Sequence, residues 1–106
     1  MLCSPSFLII RIKNIAKTIP ARQKRILLEK PIALKRVFFS ITALADPDVW
    51  YKSAVSFDDP LFRSFFVLNG PARHFEVKGE GIFQGNVWVG NLSDHDLEFT
   101  ATEILA

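Results

Sequence analysis

The sequence predicts an all-β fold, a single β-sandwich or jelly-roll domain with an extended N-terminal arm. Three observations carry this. Apolar and polar residues alternate with period two through most of the chain. Turn residues recur at intervals of roughly ten residues, the spacing of sandwiches and jelly rolls. Phe is used ten times in 106 residues, which lets a short chain fill a core without a disulfide framework.

The alternation is clearest in four runs. Val37, Phe39, Ile41 and Ala43 fall on one face, and Arg36, Phe38, Ser40 and Thr42 on the other. Phe75 and Val77 oppose His74, Glu76 and Lys78. Val87 and Val89 oppose Asn86 and Trp88. Leu97, Phe99, Ala101 and Leu105 oppose Glu98, Thr100 and Thr102. Each run buries one face, so Phe39, Ile41, Phe66, Phe75, Val77, Val87, Val89 and Phe99 are expected in the core. Between the runs stand Asp46-Pro47-Asp48, Asp58-Asp59-Pro60, Asn69-Gly70-Pro71 and a polar hairpin tip at Ser93-Asp94-His95-Asp96. The strands are therefore placed near 7–13, 24–29, 34–44, 50–57, 62–68, 73–78, 86–91 and 97–105. Residues 22–30 also suit a short helix, bracketed by Pro20 and Pro31, but a strand is preferred. Residues 1–20 read as an N-terminal arm or edge strand, and 21–106 as the sandwich.

Composition excludes several classes. One cysteine, Cys3, gives neither an internal disulfide nor a cysteine metal site. The apolar stretch Phe7–Ile10 is far too short to span a bilayer, and it has neither the basic flank nor the cleavage site of a signal peptide. His74 and His95 share no metal-ligand spacing, and Asp94-His95-Asp96 suits a solvated turn. Asp58-Asp59 before Pro60 is turn chemistry. No nucleophile motif or phosphate-cradling loop is present, and Gly79, Gly81 and Gly85 lie between strands. No catalytic residue, metal or cofactor is expected.

Charge is unevenly placed. Residues 1–53 hold ten Lys/Arg against three Asp/Glu, about +7; residues 54–106 hold three against eight, about −5. Between Arg11 and Arg36 nine cations face the single acid Glu29. No aromatic residue interleaves them, so an acidic protein surface suits this run better than nucleic acid. The candidate partner-binding residues are Arg11, Lys13, Lys17, Arg22, Lys24, Arg25, Lys35 and Arg36. Trp50, Tyr51 and Trp88 are candidate aromatics for a sugar platform or a subunit interface.

The run Gly79-Glu-Gly-Ile-Phe-Gln-Gly-Asn-Val-Trp-Val-Gly-Asn-Leu-Ser93, the closing Leu97-Glu-Phe-Thr-Ala-Thr-Glu-Ile-Leu-Ala106, and the earlier Ile19-Pro20-Ala21 and Lys35–Ala43 resemble small β-sandwich structural proteins of tailed-phage virions. That resemblance implies a non-enzymatic capsid cement, decoration or fibre-associated protein. It implies a homo-oligomer, often a trimer, held on a capsid or tail surface of a virion assembled in the host cytoplasm, and the basic run makes an acidic protein surface of that virion the expected partner. A carbohydrate-binding module using its exposed Trp residues is the alternative from a different class.

Overall fold

The computed structural model describes residues 10–44, 52–69, 72–78 and 84–106, with the backbone alone at 44, 69 and 72–78. Eight strands occupy them: β1 Arg11–Ile19, β2 Lys24–Leu28, β3 Arg36–Leu44, β4 Lys52–Phe57, β5 Phe66–Asn69, β6 Ala72–Lys78, β7 Val87–Asn91 and β8 Leu97–Leu105. They form two four-stranded antiparallel sheets, in order β1-β8-β3-β6 and β2-β7-β4-β5. Successive strands alternate between sheets except at the β4–β5 hairpin, which is the strand order of a jelly roll.

The alternation places the core as expected for most runs. Along β8, Leu97, Phe99, Ala101, Glu103 and Leu105 point inward while Glu98 is exposed. Phe39, Ile41, Val55, Val87 and Val89 meet them from the neighbouring strands. The ring of Phe39 packs edge-on to Phe57, 5.8 Å between centroids. Phe66 is a correction. It lies on the edge strand β5 and is half exposed, leaning on Phe57 at 5.5 Å. The side chains of Phe75 and Val77 lie outside the described residues.

Two bulges decide where side chains go. Pairing of β3 with β8 shifts register between Arg36 and Phe38, so Val37 is the extra residue. A one-residue insertion reverses the facing of everything beyond it. Arg36, expected on the outer face, therefore points inward. In β2 the shift between Ile26 and Leu28 makes Leu27 extra, and Leu27 and Leu28 are both buried.

The first strand also differs from expectation. Expected near 7–13, in a stretch read as an arm or edge strand, it runs from Arg11 to Ile19 and pairs with β8 along its whole length at the edge of its sheet. Residues 1–9 lie outside the described residues.

Loops fold back on the sheets. Asp59 nucleates the β4–β5 connection: its carboxylate accepts from the backbone N–H groups of Leu61 (3.1 Å) and Arg63 (2.9 Å). Desolvation raises its pKa, but these bonds and the Arg63 guanidinium outweigh that and hold the carboxyl below its ordinary value. Ser56 Oγ bonds to the carbonyl oxygens of Asp59 (2.9 Å) and Ser64 (3.0 Å). Phe62 thereby lies against Gly90, where an added Cβ would be 3.4 Å from the ring. The expected polar hairpin tip at 93–96 joins β7 to β8, which belong to different sheets, so it is a crossover. Buried Asn91 organises it, donating to the carbonyl oxygens of Ile19 (3.0 Å) and His95 (2.6 Å) and accepting from Ser93 N–H.

Gly85 marks the tightest approach. An added Cβ would stand 2.6 Å from Asp58 Oδ2. Its carbonyl meanwhile accepts a bond from Arg36 Nη1 at 2.9 Å, which limits how far the backbone can retreat. Gly85→Ala is expected to cost about 1–3 kcal/mol, read as a lowered midpoint in urea unfolding with an unchanged slope.

Candidate functional site

The site begins with an anomaly on β1. Arg11, Lys13, Ile15, Lys17 and Ile19 share one face of this strand, the face turned toward the other sheet. Three of these five positions are cationic. Ile10 and Ile12, on the opposite phase, are exposed. Across from them β2 offers the buried Leu27 and Leu28. A lysine or arginine cannot be buried unpaired against leucine without a large desolvation cost. The edges of β1 and β2 stand apart instead, leaving a cleft of about 610 Å³ between the sheets.

The cleft has an apolar floor and a rim of four cations and one exposed carboxylate, Glu29. Ile15, Leu27, Leu34 and Leu105 line it, and the connection between β2 and β3 overhangs it with Pro31, Ile32 and Ala33. Arg11, Lys13, Lys17 and Lys30 supply its positive charge. Lys17 Nζ crosses it to the carbonyl oxygen of Ile26 at 2.9 Å, tying the β1 edge to the β2 edge. Among the described residues no carboxylate forms an ion pair with any of these four cations.

Behind the floor sits a buried ion pair. Arg36 Nε donates to Glu103 Oε1 at 2.9 Å, with the two residues only 1% and 4% exposed. Backbone also accepts from the guanidinium: Nη2 donates to Glu29 O at 2.7 Å and Nη1 to Gly85 O at 2.9 Å. One side chain thus joins β3 and β8 to the β2–β3 and β6–β7 connections.

The eight basic candidates therefore separate. Arg11, Lys13 and Lys17 come together in the cleft, joined by Lys30 from the same basic run. Arg22 lies at the opposite end, ion-paired to Asp94, and that guanidinium holds the Asp94 carboxyl below its usual range. Lys24 sits over the Phe62 ring, 4.7 Å from its centroid. Arg25 folds onto Gln23 Oε1 and the Lys24 carbonyl. Lys35 is exposed and pairs through its backbone with Ala106, at 2.8 and 2.9 Å. Arg36 is no surface contact at all. Trp88 is partly buried on the outer face of the second sheet, paired with Ile26 and Ser56. Trp50 and Tyr51 lie outside the described residues.

A second surface feature escaped sequence reasoning. Leu61, Phe65, Phe66 and Val67 are 68%, 49%, 49% and 46% exposed and lie on β5 or in the connection before it. The signal was present as Leu-Phe-Arg-Ser-Phe-Phe-Val, a run with no strict alternation, but such a run reads equally well as core. As for catalysis, the two carboxylates of the β7–β8 crossover diverge, Asp94 to Arg22 and Asp96 to the N–H of Ala21 at 3.3 Å. Among the described residues no three His, Cys, Asp or Glu gather as metal ligands would.

No family model matches the sequence, and no curated protein matches it. A solved structure from work described as "Bacillus endospore appendages form a novel family of disulfide-linked pili" is similar to the chain with a TM-score of 0.63. The alignment covers 100% of this chain and 96% of that one at 13% identity. The likeness therefore extends over the whole jelly roll, and at that identity it is a likeness of fold.

Proposed function

We propose that this chain is a non-enzymatic structural subunit that assembles with copies of itself. The observation that carries the reading is the β5 edge. Leu61, Phe65, Phe66 and Val67 expose apolar side chains on and just before β5, the last strand of its sheet among the described residues, and soluble monomers rarely leave a hydrophobic edge strand uncovered. The jelly-roll likeness to a pilus-related structure supports the same reading. Its disulfide linkage does not transfer as a continuous chain. With one cysteine, each copy can form one disulfide, which joins pairs and stops there. Contacts along an extended assembly would be non-covalent, and burial of the exposed β5 side chains is one source for them.

The finer reading places these assemblies on an acidic capsid or tail surface of a phage virion. It is supported by the texture of residues 79–106 and by the basic cleft, whose potential would steer such an encounter. Phe65→Asp with Val67→Asp tests the self-assembly. The double variant is expected to elute as a monomer with the parent's circular dichroism spectrum, while the parent elutes as an oligomer. Equal elution of the two would refute the role given to β5. Retention of the parent on tailed-phage particles through a density cushion, lost when Lys13 and Lys30 are reversed to Glu, tests the finer reading.

A further inference from the structure

We propose that the cleft between β1 and β2 binds a single-chain amphiphilic anion, its tail on the apolar floor and its head group among the rim cations. This goes beyond a role in assembly and does not depend on it. The volume of about 610 Å³ lies within the roughly 300–1,000 Å³ of small-molecule sites. Two chemistries meet in it. Ile15 and Leu34, half-buried over the buried Leu27 and Leu105, and the overhanging Pro31, Ile32 and Ala33 offer the apolar surface that a chain of methylenes would cover. Arg11, Lys13 and Lys30 ring that surface with no ion pair among the described residues and outnumber the one exposed carboxylate there, Glu29, while Lys17 ties the two edges together.

Other anions fit less well. Inorganic phosphate needs donors converging on one point, whereas cations two residues apart on a strand are separated by roughly 6.5 Å. A purely acidic peptide would leave Ile15, Leu34 and the overhanging Ile32 and Ala33 in contact with water. A nucleic acid strand would find no aromatic ring among the cleft residues to stack on. A fatty carboxylate or an alkyl phosphate satisfies both halves, and the basic rim rejects a cationic detergent with the same tail.

The test is calorimetric titration of the full chain with dodecanoate below its critical micelle concentration. One saturable site per chain is expected, at least about tenfold tighter than octanoate because four fewer methylenes are buried by the shorter tail. Acetate, dodecyltrimethylammonium and a decaglutamate peptide should each bind at least tenfold more weakly. Lys13→Glu with Lys30→Glu should weaken dodecanoate at least tenfold. Ala33→Trp, which occludes the cleft from an exposed position, should do the same without touching the core. Arg22→Glu, at the other end of the sandwich, should leave it unchanged. Binding of dodecyltrimethylammonium or decaglutamate as tight as dodecanoate overturns the proposal. So does dodecanoate binding indifferent to both cleft variants, or none at all. Retention on phosphatidylcholine–phosphatidylglycerol vesicles without uptake of monomeric dodecanoate also overturns it, since that assigns the basic rim to a membrane surface.

Discussion

Arg36→Met is expected to cost about 3–5 kcal/mol, enough to leave much of the protein unfolded at ambient temperature if its stability is that of an ordinary small domain. The substitution keeps the aliphatic stem, so little packing is lost. What it removes is the only positive charge bonded to the buried Glu103 carboxylate among the hydrogen bonds described. It also removes the donors to Glu29 O and Gly85 O. An uncompensated buried carboxylate is among the most destabilising single defects a core can hold. Arg36→Met with Glu103→Leu is expected to recover part of the loss, since both charges then leave together. Recovery stays incomplete because the two carbonyl oxygens remain without their donor. Urea unfolding followed by tryptophan fluorescence reads all three proteins. A single variant as stable as the parent would mean that the pair is solvated, contrary to its burial.

Phe99→Ala is expected to cost a similar amount, about 3–5 kcal/mol. Phe99 is fully buried on β8, the strand that β1 and β3 flank, and its register partners are Lys17 and Ala43. Alanine at position 43 cannot grow into the space that the ring vacates, so the cavity persists and adds to the lost transfer energy. The expected drop in melting temperature is roughly 15–30 °C. Phe66→Ala provides the contrast. Its ring is half exposed, and its edge-on packing against Phe57 is worth about 1 kcal/mol. Circular dichroism melts of the two variants should differ several-fold in their shifts, and equal shifts would contradict the burial assigned to Phe99.

Much of this architecture is legible in the residues, and the illegible parts have definite causes. Leu97, Phe99, Ala101 and Leu105 announce β8 because one face of it meets the core and the other meets water. β1 is misplaced toward residues 7–13 because its inner face carries Arg11, Lys13 and Lys17. Alternation is read from apolar residues, and here the inward positions are mostly charged. The facing of Arg36 is illegible for a different reason. A bulge leaves no local composition signal, yet it turns that side chain from solvent into the sandwich. Strand order follows from long-range pairing, such as Arg36 and Arg11 both opposite Leu105, and period-two patterning says which face is buried without saying which strand lies alongside. The cleft is legible only in part. Nine cations near the N-terminus are plain in the sequence, but which of them converge depends on the opening between β1 and β2.

Sedimentation velocity of the purified chain over a wide concentration range tests the structural-subunit reading most directly. Species larger than a monomer, growing with concentration and persisting under reducing conditions, are the expected result, because one cysteine cannot propagate an assembly and the β5 surface can. A single monomeric species at every concentration, with the β5 aromatics left in water, would contradict it.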